Sequence, residues 1–381
     1  MSAKTFFHSR QNLLYFLTIA VPFSFVTWTA LINNFAIEKA HFNGEQIGLL
    51  QSIREVPGLL AFTIVFVLLI FKQQTASYLS LFLLGFGTLL TGFFPTALGL
   101  YTTTLIMSIG FHYLETLYNS LSLQWIPKQN APSFFGKLSS IRSFTSLGIL
   151  GLLYVLMQFL HLPYKMIYII FGGITMLLSF VAWKGFDTFK DEVTQETKLF
   201  LRKEYWLFYL LTFLAGARRQ IVVVFAGFLL VEKFGFSTQN MVLLLIVNTI
   251  INMFLAPYAG KLIEHFGERL SLRFEYICII IIFVLYGFVQ NKSVAVGLYI
   301  LDNLFFTIAI ALRTYFQKIA DPKDIAVTSS VGFTINHIAA VTLPFTFGIV
   351  WMYSHSAVFF AGAGIGVISL ILTFFLKKTY A

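Results

Sequence analysis

Residues 13–37 read LLYFLTIAVPFSFVTWTALINNFAI, twenty-five positions without one Asp, Glu, Lys or Arg. As a helix rising about 1.5 Å per residue, this run is longer than the ~30 Å hydrocarbon core of a bilayer. The same kind of run recurs along the chain, at 46–71, 76–96, 98–126, 134–159, 163–183, 204–231, 238–262, 270–289, 293–319, 325–352 and 355–376, which makes twelve. Each run is long and continuously apolar. A membrane barrel strand would show about 10 residues of strict alternation instead. Backbone groups in lipid must be satisfied within their own segment, so helices are the spanning element. The predicted fold class is an all-α integral membrane protein of 12 transmembrane helices in two six-helix bundles.

Composition agrees. The chain is 58% hydrophobic and only 11% charged, with mean hydropathy +0.82. A soluble domain carries roughly 25% charged residues. The basic residues give the orientation. With both termini in the cytoplasm, sixteen Lys and Arg fall on the cytoplasmic side, and Lys39, Lys165, Lys233 and Lys292 fall outside. This is a positive-inside pattern, and it accounts for the net charge of +10 beside anionic lipid. No nucleic-acid partner is needed. The first run is read as a span rather than a cleaved signal, because no small-residue cleavage site follows it. Cys278 is the single cysteine, so no intramolecular disulfide forms. The polar stretch 184–203 reads as a cytoplasmic linker between bundles 1–183 and 204–381.

The two halves echo one another. Ser139-Ser140-Ile141 in the fifth span and Ser329-Ser330-Val331 in the eleventh lie 190 residues apart. At the same offset His112 aligns with Asp302. Such matches, with six spans on each side of the linker, point to a duplicated membrane domain. The loop after the eighth span reads Gly260-Lys261-Leu262-Ile263-Glu264-His265-Phe266-Gly267-Glu268-Arg269. On these features the chain resembles the major facilitator superfamily. Gly260, Glu264, Gly267 and Arg269 take the places of that family's cytoplasmic motif, which the resemblance implies helps latch the halves together. The equivalent loop between the second and third spans, Phe71-Lys72-Gln73-Gln74-Thr75, lacks the motif.

Ionisable residues inside spans are costly, and they pair with one another or line aqueous cavities. The fourth span carries His112, Glu115, Asn119 and Ser122 at helical spacing, on one face. Arg218 lies 14 residues beyond Glu204, about 21 Å of rise, too deep to snorkel easily. Its neighbour Arg219 points about 100° away, so one of the two faces a cavity and the other pairs with an acid on a neighbouring helix. Arg54 and Glu55 in the second span read either as a packing ion pair or, for Glu55, as a proton site. Arg142, Asn248, Asn252, Asp302, Asn303, Arg313 and His337 complete the embedded polar set. Five embedded arginines outnumber three acids, which favours an anionic substrate.

These features predict a proton-coupled secondary active transporter of a small organic anion, working by alternating access in a plasma membrane, bacterial by the economy of its loops. Arg142, Arg218, Arg219, Asn119, Asn248, Asn252 and His337 are the expected substrate contacts. Glu115, His112, Glu55 and Asp302 are the expected proton carriers. Trp28, Tyr113 and Tyr118 are available to an apolar part of the substrate. Efflux of amphipathic compounds is the alternative, since aromatics make up 18% of the chain. An intramembrane enzyme is disfavoured, because HExxH and GxSxG are absent. So is a non-transporting receptor, because no sensory domain is present. The expected partners are the substrate, protons and lipid, with no cofactor or metal, in a monomer.

Overall fold

The computed structural model describes residues 6–126, 131–189, 202–320 and 325–376. These are almost wholly helical, and no strand occurs among the described residues. In chain order the helices are α1 (Arg10–Ala40), α2 (Gly44–Leu59, continued by Ile64–Leu68), α3 (Gln73–Thr91), α4 (Ala97–Trp125), α5 (Ala131–Gln158) and α6 (Tyr164–Gly185). Then follow α7 (Trp206–Gln220, continued to Glu232), α8 (Thr238–Phe266), α9 (Glu268–Phe288), α10 (Lys292–Phe306, continued by Ile310–Ile319), α11 (Ile325–Tyr353) and α12 (His355–Leu372). Each begins and ends within a few residues of its predicted run. Among the described residues, nine are long and apolar enough to cross a membrane, and the bent pair Gly44–Leu59 and Ala61–Leu68 makes a tenth. The helices α3 and α4 are long enough, but their polar residues leave them less apolar.

Local chemistry sets the helix ends. Ser9 caps α1, its hydroxyl accepting from the Asn12 amide, and His41 closes it in the left-handed region at φ 56°. The 45° bend in α2 follows Pro57, which cannot donate to the helical ladder. In α11 the interruption at Pro344 is compensated from outside, since the Phe345 amide donates to Ser52 Oγ at 3.0 Å.

The chain divides into two compact units. The first comprises Met1–His41, Ile53–Glu196 and Thr238–Ile246, and the second Phe42–Ser52, Thr197–Ser237 and Val247–Ala381. In the first unit α1 packs on α5 and α6, while α3 packs on α4 and α6. In the second, α7 packs on α11 and α12, while α9 packs on α10 and α12. Moving every partner by six helices converts one list into the other, which is the packing signature of a repeat. Small residues allow the tight crossings. A Cβ on Gly48 of α2 would overlap the Pro344 carbonyl of α11, so those backbones touch. Gly85 and Gly172 do the same for α3 and α6.

Candidate functional site

In the first unit the polar face of α4 meets several different environments. His112 is buried, and its Nδ1 lies 3.0 Å from Ser108 Oγ, while Nε2 lies 3.9 Å from Glu55 Oε2. Glu55 also accepts from Arg54, whose Nε is 3.0 Å away, and the Arg54 guanidinium sits 5.9 Å from the Trp28 ring. Ser108 Oγ donates to the Arg54 carbonyl. Arg54, Glu55, Ser108 and His112 thus form one buried cluster joining α2 to α4.

One turn further along α4, Glu115 faces Arg142 of α5, with Oε1 3.4 Å from Nη1. The pair is loose and open, its side chains 31% and 45% exposed. It lies on a cleft lined by Leu17, Thr18, Val21, Phe111, Leu114 and Tyr118. The buried Tyr118 hydroxyl bonds to Thr18 Oγ1 at 2.7 Å, which orients that ring in the wall. Phe111 stacks on Phe25 at 4.0 Å. The cleft therefore combines one cation, one titratable acid and an apolar wall. Asn119 is exposed, whereas Ser122 is fully buried, so the stripe drawn from spacing is not one surface.

In the second unit the adjacent arginines of α7 separate. Arg218 is 3% exposed and donates through Nη2 to Glu275 Oε1 of α9 at 3.0 Å. Its guanidinium lies 4.6 Å from the Tyr276 ring. Arg219 is exposed. Sequence reasoning misses Glu275. Placed five residues inside the run 270–289, it resembles an acid at a membrane edge, and it lowers the embedded excess of cations from two to one. Directly after Gln220 the helix widens into a π-turn over Ile221–Ala226, a feature that frequently accompanies functional sites.

Asp302 and Asn248 are buried, Asn252 is half-buried and Arg313 is exposed. His337 is buried, with Nδ1 3.0 Å from the Phe333 carbonyl. In the loop motif, Gly267 adopts φ 76°, a left-handed value that favours glycine, and it leads directly into α9. Arg269 donates to the Phe374 carbonyl. The surroundings of Gly260 and the side chains of Glu264, Ser329 and Ser330 lie outside what the structure describes, as do residues 190–201 of the expected linker.

A chain of repeated apolar helices carrying polar clusters at depth is that of a multi-pass membrane transporter. The Major Facilitator Superfamily model matches residues 12–344, and the chain belongs to that family. Among solved structures it is similar to a mutant form of the nucleoside transporter NupG, with TM-score 0.78 and 14% identity over 97% of this chain and 100% of that one. The unmutated NupG structure gives TM-score 0.75 at 15% identity over 98% and 100%. A bacterial homologue of the human lysosomal transporter Spinster, in an inward-facing and occupied conformation, gives 0.76 at 14% identity over 97% and 96%. No curated protein matches. At these identities the likeness is one of fold.

Proposed function

We propose that this transporter moves a small organic anion together with a proton, by alternating access of two halves, 1–183 and 204–381. One observation carries the reading: Glu115 and Arg142 face one another at 3.4 Å on a cleft, accessible and loosely held. With Glu115 ionised, Arg142 is compensated and an anion gains little from it. A proton on Glu115 removes that compensation, and the guanidinium fork becomes available to a carboxylate or phosphate. Proton and anion then favour one another's binding, and by linkage the coupling is reciprocal. The Phe111, Leu17, Leu114 and Tyr118 wall receives the apolar part of the solute. In the second unit Arg219 is the exposed arginine of the two and Arg218 the buried one, paired with Glu275. The protein acts as a monomer in a bacterial inner membrane with both termini cytoplasmic, a sidedness supported by the distribution of Lys and Arg.

The test is uptake into proteoliposomes with and without an imposed proton gradient, over a panel of anionic, cationic and neutral solutes that includes nucleosides. Anion uptake should rise with the gradient. Glu115→Gln should keep anion exchange across the bilayer but lose its response to the gradient, and Arg142→Gln should lose both. Gradient-driven uptake that survives in Glu115→Gln would refute the coupling. A second reading rests on the largely apolar cleft lining, which suits amphipathic compounds. Transport of hydrophobic cations that depends on Glu115 and ignores Arg142 would select it.

A further inference from the structure

The first two turns of α9 carry Arg269 and Arg273, four residues apart and so on one helix face. Both reach the end of α12. Arg269 Nη2 donates to the Phe374 carbonyl at 3.3 Å, and Arg273 Nε donates to Thr373 Oγ1 at 3.2 Å. The Arg273 guanidinium also lies over the Phe374 ring, 4.1 Å from its centre. Two like charges are thereby held side by side. Neither has an acid at ion-pair distance among the described residues. The nearest acid in sequence, Glu268, is engaged by Lys318 at 2.9 Å and is almost fully buried. Glu275 belongs to Arg218. Two further donors, Arg269 Nε and Arg273 Nη2, are buried without a hydrogen-bond partner. A buried guanidinium donor left unpaired is costly and calls for a ligand.

The surface beside the pair says what kind of ligand. Leu270, Phe274, Ile277 and Ile281 are all exposed, at spacings that set them in one stripe along α9, and the exposed Phe374 and Phe375 flank its start. The arginines therefore stand at the head of an apolar face turned to lipid. We propose that Arg269 and Arg273 form a headgroup site for an anionic phospholipid, with an acyl chain along the stripe of α9. Guanidinium forks match phosphate oxygens in geometry. Two cations with no acid at ion-pair distance among the described residues favour a net-negative headgroup over a zwitterionic one, whose choline or ethanolamine adds a third positive charge. Basic pockets at helix ends are a recurrent way of holding such lipids. A free phosphate ion shares the headgroup chemistry but has no use for the apolar stripe.

The test compares full-length purified protein in mixed micelles supplemented with phosphatidylglycerol, with phosphatidylcholine, or with inorganic phosphate. Thermal unfolding and native mass spectrometry are the two readouts. We expect phosphatidylglycerol to raise the melting temperature above the phosphatidylcholine value and to persist as one bound lipid. The variant Arg269→Gln/Arg273→Gln should lose most of that difference and the retained lipid. Arg313→Gln, an exposed arginine on α10, should keep both. Where the double variant does not fold, Arg273→Lys, which keeps the charge and loses the fork, replaces it and should weaken lipid retention several-fold. Equal protection by phosphatidylcholine, or full retention of phosphatidylglycerol by the variants, would overturn the site. Protection by inorganic phosphate alone would overturn its assignment to lipid.

Discussion

Breaking the Arg218–Glu275 pair tests how much of the second unit depends on one buried contact. The two side chains are 3% and 0% exposed, and Nη2 and Oε1 are 3.0 Å apart. Glu275→Gln removes the countercharge and leaves a buried guanidinium whose Nε and Nη1 already lack partners. Removing one member of a buried pair costs about 3–5 kcal/mol, whereas replacing both with apolar groups of similar volume is nearly neutral. At about 2–4 °C per kcal/mol for a body of this size, Glu275→Gln should melt roughly 10 °C lower. Arg218→Met should fall by less, because it also removes the unpaired donors. The double variant Arg218→Met/Glu275→Leu should recover most of the loss. The assay is thermal unfolding in one detergent of these proteins and the single variant Glu275→Leu, so that wild type, Arg218→Met, Glu275→Leu and their double variant close a double-mutant cycle. A single-variant loss below about 1 kcal/mol, or a double variant as unstable as the sum of the singles, would show that the pair is not coupled as its geometry requires.

Other expectations follow from the same structure. Arg219→Gln, on an exposed side chain, should cost less than half of what Arg218→Gln costs in melting temperature while reducing anion binding. Gly48→Val drives a branched side chain into the Pro344 carbonyl and should lower stability by about 1–3 kcal/mol, as overpacking does; a melting curve unchanged from wild type would show that the α2–α11 crossing is looser than described. Ser52→Ala strips the partner from the Phe345 amide and should cost about 1–2 kcal/mol, with faster hydrogen exchange at that amide.

Helix positions were legible because a segment in lipid must satisfy its own backbone, so an apolar run of spanning length admits one structure. The bend in α2 was not read from the sequence, although Pro57 stands just before it. Side-chain partners were not legible in the same way. Glu115 and Arg142 are 27 residues apart and Arg218 and Glu275 are 57 apart, so only the packing of helices brings each pair together. Spacing along α4 placed His112, Glu115, Asn119 and Ser122 on one face correctly as geometry. It said nothing of the neighbours, and these bury His112 and Ser122 while leaving Asn119 open. Arg273 does not stand out in sequence, because an arginine at a helix end is ordinary there, and only its unpaired buried donor sets it apart.

The 57 residues between Arg218 and Glu275 also have a meaning in time. At about 5–20 residues per second of synthesis, α7 emerges from the ribosome roughly 3–11 s before the carboxylate that neutralises its arginine. During that interval Arg218 lacks the carboxylate that it pairs with in the folded unit. On translocon insertion scales its cost at a helix centre is about 2.5–3.5 kcal/mol. The helix must therefore wait in the insertion machinery, or beside water, until α9 arrives. Loss of Glu275 should then appear first as truncated or degraded nascent protein in the cell, before any purified molecule exists to be melted.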